Sequence, residues 1–96
     1  MGGRARRAAE QAERHRRLAD ASTWDGYRSA AFNKETGTLV VVLNAHEQGL
    51  DDDPENPWAT FCDDHGRFVS HSTLQLARSH ASAPTGWCEP CQGRTD

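Results

Sequence analysis

The sequence predicts an α+β fold: a small domain with a three- or four-stranded antiparallel sheet, a basic N-terminal helix and a short second helix. Three observations support this prediction. The first residues are rich in Ala, Arg, Glu and Gln, which are strong helix formers. The middle of the chain contains short β-branched and aromatic segments separated by glycine-containing turns. A helix-capping pattern then follows the last of these segments.

A chain of 96 residues is long enough for one small domain. Such a chain buries little apolar surface, and domains of this size often add a metal ion or disulfides. Large apolar residues are few, since the sequence has three Trp, three Phe, one Tyr and one Met. We expect a basic N-terminal arm over residues 1–22 and a single α+β domain over residues 23–96.

The N-terminal helix is expected over residues 4–21. Its small face is made of alanines, and Leu18 is its only large apolar residue, so it contributes little hydrophobic free energy. Residues 1–19 hold six Arg against two Glu, a charge of +4. Residues 20–96 hold five basic against twelve acidic side chains, a charge of −7. A basic arm is therefore joined to an acidic body.

Two strands are expected next, over residues 24–32 and 38–43. The turn between them contains Gly37, which is free to adopt a positive φ. The second strand, TLVVVL, is continuous and β-branched, so we expect it to be central and covered on both faces. Residues 44–57 are polar and acidic, so we expect a solvated loop. The complete pattern of a calcium-binding loop is missing from them.

Two further short strands are expected over residues 58–62 and 67–71. After them, Ser72 is a good N-cap and Gln75 completes a capping box. This pattern predicts a short helix over residues 73–81, between the segments that contain Cys62 and Cys88.

The two pairs of candidate metal ligands share a gap of two residues: Cys62-x2-His65 and Cys88-x2-Cys91. This gap suits a tight turn that directs both side chains to one ion, and Gly66 allows the first turn to close. Three thiolates and one imidazole fill the four positions of a tetrahedral zinc ion. Sulfur ligands favour zinc over magnesium or calcium, with iron as the alternative. We therefore expect one structural zinc ion per chain.

Other uses of these histidines and cysteines are alternatives to this ligand set. His71 or His80 could replace His65, although neither has the matching gap to a cysteine. The three cysteines cannot all pair within the chain, and in a reducing compartment their spacing favours metal or redox chemistry over a structural disulfide. A redox role for Cys88 and Cys91 lacks a βαβ context and leaves Cys62 unused.

Residues 58–92 resemble the small bacterial and phage zinc-knuckle or zinc-ribbon proteins, through the motifs CDDHG and WCEPC. The resemblance is one of type, and it implies a rigid surface that binds nucleic acid or protein. In treble-clef proteins the second ligand pair opens a helix. Because Pro90 and the nearby end of the sequence leave little room for a helix, we expect two facing knuckles. Trp58 and Trp87 are expected to pack over the metal site, with base stacking as the alternative.

The expected function is that of a non-enzymatic adaptor, which contacts a protein partner through its basic helix and acidic body. The alternative is nucleic-acid binding through the arm, since its arginines offer cations to phosphates. An acidic body would repel nucleic acid and confine that contact to the arm. The candidate contact residues in the arm are Arg4, Arg6, Arg7, Arg14, Arg16 and Arg17.

Enzyme classes fit the sequence less well. Nucleobase deaminases need H-x-E followed by P-C-x-x-C, whereas His46 directly precedes its glutamate and Trp87 stands before Cys88. A nuclease built on Asp64 and His65 would compete with the metal site for that histidine.

Membrane insertion and secretion are not expected. The longest apolar run, Leu39 to Leu43, is too short to cross a bilayer. The N-terminal residues have no apolar segment of the kind found in secretory signals, and Glu10 and Glu13 argue against a transit peptide. We expect a cytoplasmic protein without membrane contact.

Overall fold

The computed structural model describes residues 2–49 and 53–93, with side chains described from residue 7 onward. The predicted α+β class is confirmed, because a four-stranded antiparallel sheet combines with helices. In chain order the elements are α1 (Gly2–Ala21), β1 (Tyr27–Phe32), β2 (Leu39–Asn44), α2 (Ala45–Gln48), β3 (Trp58–Cys62), β4 (Arg67–His71), α3 (Leu74–Ala81), a 3₁₀ turn (Pro84–Gly86) and α4 (Glu89–Gly93).

The strands lie in the order β1-β2-β3-β4, and each pairs antiparallel with its neighbour. Strand β2 is therefore interior, and its first five residues are all buried. This confirms the expectation of a central strand that is covered on both faces. The register of β1 shifts at Arg28, between Tyr27 and Ser29. Gly37 has a φ of 74°, as the tight turn between β1 and β2 requires.

The two faces of the sheet meet different layers. One face forms the main core with the end of α1 and the segment after it; this core includes Leu39, Val41, Leu43, Leu18, Ala21 and Trp24. The opposite face meets α3, where the hydroxyl of Thr60 donates to the carbonyl oxygen of Ala77 at 2.6 Å. The C-terminal half of α1 thus packs on the domain, whereas residues 7–16 are exposed.

A short helix, α2, lies inside the segment that the sequence predicted to be a loop. The side chain of Asn44 accepts a hydrogen bond from the N–H of Glu47, and Gly49 ends the helix with a φ of 80°. A helix of four residues has too little periodicity to stand out in a sequence. The Asn-to-Gly spacing was the available signal.

The predicted cap of α3 was wrong by one residue. Helix α3 begins at Leu74, and Thr73 is its N-cap, because the Thr73 hydroxyl accepts from the N–H of Leu76 at 3.1 Å. Ser72 therefore lies outside the helix, and the capping box with Gln75 does not form. Adjacent Ser and Thr residues are both good caps, so their sequence alone does not separate them.

The expectation of little helix at the second ligand pair is confirmed, since the helix there has only five residues. Residues 89–93 form the short helix α4, so this pair stands at a helix start. Pro90 lies in the first turn, where its missing N–H costs no intrahelical hydrogen bond. Within residues 2–49 and 53–93, no helix combines the length and apolar composition needed to cross a membrane.

Candidate metal centre

The end of β3 and the start of α4 bring four separated residues together. Cys62 ends β3, His65 lies in the next turn, and Cys88 and Cys91 stand at the start of α4. Each offers one ligand atom, and these atoms all lie within 4.8 Å of one another. The three cysteines are fully buried and His65 is half-buried. The four residues are positioned to bind a metal ion.

The distances among the ligand atoms match a tetrahedral centre. His65 Nδ1 lies 3.3 Å from the Sγ of Cys62 and 3.4 Å from the Sγ of both Cys88 and Cys91. The Sγ atoms of Cys62 and Cys91 are 3.7 Å apart. Zinc–sulfur bonds of about 2.3 Å and a zinc–nitrogen bond of about 2.0 Å, at tetrahedral angles, require about 3.8 Å between sulfurs and about 3.5 Å from nitrogen to sulfur. A disulfide would require about 2.05 Å.

In both ligand turns a backbone N–H faces the sulfur of the first cysteine. The backbone N–H of His65 faces the sulfur of Cys62, and the N–H of Cys91 faces the sulfur of Cys88. In the first turn, the N–H of Gly66 also donates to the carbonyl oxygen of Cys62 at 2.8 Å. Gly66 has a φ of 67°, which confirms that a glycine closes this turn.

The sulfur atoms lie in an environment that disfavours isolated charge. Burial raises the pKa of Cys62 to about 12, and its hydrogen bond with Cys91 adds to the rise. Burial likewise raises the pKa of Cys88. Because thiolates are the metal-binding form, a cation at the centre is what offsets the cost of three buried thiolates.

Outer residues support the sulfur cluster. The hydroxyl of Thr38 lies 3.8 Å from the Sγ of Cys91. Trp87 packs on the three cysteines, and its indole N–H donates to the carbonyl oxygen of His80 at 2.9 Å. The packing prediction is confirmed for Trp87.

The same prediction was wrong for Trp58. Trp58 begins β3, whereas Cys62 ends it, and four extended residues separate positions by about 13 Å. The ring of Trp58 instead lies under Arg28, whose guanidinium carbon is 5.2 Å from the ring centre.

The alternative histidine ligands lie elsewhere. The rings of His71 and His80 contact each other outside the group of four, with their centres 4.3 Å apart and an angle of 40° between their planes. The Thr60 hydroxyl donates to a carbonyl oxygen, so its oxygen accepts from Nε2–H of His71 at 3.2 Å. Burial lowers the pKa of His71, and the nearby charge of His80 lowers it further. The Nδ1–H of His80 donates to the carbonyl oxygen of Leu76 at 3.0 Å.

One arginine of the arm contacts the turn that carries His65. A nitrogen of the Arg17 guanidinium lies 2.9 Å from an oxygen of Asp63 and 2.8 Å from an oxygen of Asp64. The hydrogen bonds to Asp64 and Asp63 raise the pKa of Arg17. Partial burial acts to raise the pKa of Asp64, but the N–H of Leu39, at 3.0 Å, and Arg17 together lower it. Sequence reasoning missed this contact, for which the two adjacent aspartates of CDDHG were the signal.

The other arginines of the arm are placed differently. Arg16 pairs with Glu13 at 2.8 Å, and Arg14 lies over the ring of Phe32 with its guanidinium carbon 5.0 Å from the ring centre. Arg7 is exposed. The side chains of Arg4 and Arg6 lie outside those that the structure describes.

Comparisons of the chain with protein-family models, with curated proteins and with solved structures found no match. The molecule is a small α+β domain with a Cys/His/Cys/Cys group, positioned to bind a metal ion, at one end of its sheet.

Proposed function

We propose that the protein is a non-enzymatic zinc-binding module, in which one zinc ion stabilises the fold and the surrounding surface contacts a protein partner. The observation that carries this proposal is the approach of three cysteine sulfurs to a single imidazole nitrogen, at 3.3–3.4 Å. Four protein ligands complete a tetrahedral zinc ion and leave no position for a reactive water, which is typical of structural sites.

The donor set favours zinc. Three sulfurs and one imidazole are soft to borderline ligands, which exclude magnesium and calcium on chemical grounds. Iron also accepts sulfur ligands, but iron–thiolate centres absorb visible light and zinc centres do not. Elemental analysis and an absorption spectrum of protein purified without chelator therefore separate the two metals.

A structural role follows from what the centre connects. Helix α4 has five residues, which is too short to be stable alone in water. The ligand group joins this helix to the end of β3, across the intervening α3. A bound ion therefore contributes directly to the folding free energy of the C-terminal region.

A protein partner is favoured by the charges of the arm. Arg17 is occupied by two aspartates, and Arg16 is paired with Glu13. These contacts reduce the positive charge that α1 offers to phosphates. Because Arg7 and Arg14 are exposed, nucleic acid is the second candidate partner. A few phosphate contacts would give a log–log slope of the binding constant against salt concentration on the order of −2 to −3.

The metal claim is tested by metal content and by histidine variants. We expect about one zinc ion per chain, because the four ligands form one tetrahedral set. In competition with a metallochromic dye, His65→Ala should weaken zinc binding far more than His71→Ala or His80→Ala, which serve as matched controls. Metal-free protein, or an equal loss in the three variants, would contradict the proposed centre.

The partner claim is tested with a variant of the arm that leaves Arg17 in place. We expect the unmodified protein to bind single-stranded RNA and duplex DNA weakly at low salt, as measured by fluorescence anisotropy. Replacing Arg7, Arg14 and Arg16 with Gln should then change little. Tight, salt-sensitive binding that this triple variant abolishes would instead establish nucleic acid as the partner.

A further inference from the structure

On the sheet face that carries α1, strands β3 and β4 are only partly covered. On the face that carries α1, Phe61 of β3 is half-buried, and Phe68 of β4 is 41% exposed. A cavity of about 260 Å³ opens beside β3 on this face. Its lining residues are Trp24, Leu43, Gln48, Phe61 and Asp63.

The walls of this cavity are aromatic. The rings of Trp24 and Phe61 meet edge to face, with their centres 5.9 Å apart and an angle of 74° between their planes. Leu43 is fully buried. Aromatic faces attract cations through their quadrupole, and an aliphatic stem gains from contact with the same apolar walls.

Two side chains of the lining offer hydrogen-bond acceptors. Oε1 of Gln48 is inaccessible to solvent and has no hydrogen-bond partner among the described residues. Buried acceptors are normally satisfied, so this atom lacks a donor that a ligand can supply. Asp63 contributes a carboxylate, of which Oδ2 accepts from Arg17. Because Arg17 already pairs with this carboxylate, the amide oxygen of Gln48 is the acceptor that a ligand's donor would meet.

We propose that this cavity binds the cationic side chain of a lysine or arginine in a basic segment of the protein partner. The aliphatic stem lies against Phe61, and the charged end meets the amide oxygen of Gln48 and the ring of Trp24. The charge of −7 on residues 20–96 favours such a segment and disfavours an acidic one. This inference rests on the proposed role as a protein-binding module, but not on the zinc ion.

The chain already uses the same type of contact on its surface. Arg14 and Arg17 lie over Phe32, with their guanidinium carbons 5.0 Å and 5.4 Å from the ring centre. Arg28 lies over Trp58 at 5.2 Å. Among the cation–aromatic pairs of the described residues, none involves Trp24, whose ring contacts Phe61 and the core.

Small probes with the same stem and different charge test the chemistry of the cavity. Isotope-labelled, zinc-loaded full-length protein is titrated by NMR with n-butylammonium, n-butyl alcohol and pentanoate. We expect n-butylammonium to shift the side-chain amide of Gln48 and the indole N–H of Trp24, with an affinity about tenfold above that of the alcohol. Pentanoate should not bind. Equal affinities for the cation and the alcohol would overturn the proposal.

Variants of the acceptor test the assignment in both directions. Gln48→Glu places a carboxylate in the cavity and should strengthen n-butylammonium binding, a gain that misfolding cannot produce. Gln48→Met keeps the side-chain length, removes the acceptor and should weaken binding. Trp24→Leu should also weaken binding, whereas Trp58→Leu, outside the cavity, should not. An unchanged affinity in both Gln48 variants would contradict the site.

The source of the side chain is tested with peptides. A short lysine-containing peptide should shift the same resonances and be displaced by n-butylammonium, whereas its glutamate analogue should not bind. If the Gln variant of Arg7, Arg14 and Arg16 gains affinity for n-butylammonium, the arm itself fills the cavity, and the external partner is refuted. Zinc content is measured on every sample, so that failure of the cavity and failure of the zinc centre are distinguished.

Discussion

Replacing Arg17 tests how the basic helix is held to the end of the sheet that carries the candidate metal centre. Arg17→Met keeps the length of the side chain but removes the guanidinium that lies 2.9 Å from Asp63 and 2.8 Å from Asp64. The three side chains are only 22–30% exposed. Hydrogen bonds between charged groups contribute about 1.5–3 kcal/mol when well buried, and exposed ion pairs about 0–1 kcal/mol. Partial solvent screening and the shared donor nitrogen place the expected loss at about 1–2 kcal/mol.

The matched control lies one residue away on the same helix. Arg16 pairs with Glu13 at a similar distance of 2.8 Å, but those side chains are 67% and 59% exposed. Such a surface pair between positions i and i+3 contributes about 0.2–0.5 kcal/mol. Arg16→Met should therefore cost much less than Arg17→Met, although both changes remove one positive charge.

Urea unfolding at a fixed free zinc concentration measures both losses. In a domain of this size, each kcal/mol corresponds to about 4–8 °C in Tm. A double-mutant cycle with Asp64→Asn, which keeps an acceptor for the N–H of Leu39, should give a coupling of about 1 kcal/mol. Equal losses for the two arginines, or a coupling near zero, would refute this account of how α1 is attached.

Three further outcomes are expected. Gly26→Ala should cost about 2–4 kcal/mol, because its φ is +80° and a Cβ would lie 2.5 Å from the carbonyl oxygen of Asn44. Gly37→Ala, with a φ of +74° and open space, should cost only about 1 kcal/mol, and similar losses in urea unfolding would contradict the steric reason. Burial lowers the pKa of His71, so near pH 6.5 the unfolded chain binds a proton that the folded chain does not. The free energy of unfolding should therefore fall as pH drops below that value, and it should fall less steeply in His71→Gln. A slope that does not differ in the variant would argue against this. Removing zinc with a chelator should melt the C-terminal region, as circular dichroism and tryptophan emission report; unchanged spectra of zinc-free protein would speak against a structural ion.

Much of the local structure was predictable from short-range patterns. Strands β3 and β4 begin and end at the residues that the sequence predicted, because turn residues bound each of them. The positive φ of Gly37 and Gly66 followed from the tightness of their turns. Helix α2 was missed because four residues carry no periodic signal. The cap at Thr73 was missed because the neighbouring serine is chemically equivalent.

The candidate metal centre was predictable to the level of its residues. Two pairs with the same short gap, with Gly66 after the first, already specify a group of donors whose chemistry suits one soft-ligand ion. The structure brings Cys62, His65, Cys88 and Cys91 together, as that spacing indicated. The local geometry of a ligand turn depends on residues that are adjacent along the chain, so a short sequence pattern can predict it.

The sequence by itself therefore determined the order of the four strands and of helices α1 and α3, the central position of β2 and the residues of the candidate metal centre. Only the tertiary structure decided which residues meet across long separations in the chain. Among the arm's arginines whose side chains are described, it brought Arg17 to Asp63 and Asp64. It placed Trp24 over Phe61 and left Trp58 at the far end of β3. The physical reason is that helix rotation and strand direction set these contacts, and both depend on how the whole core packs.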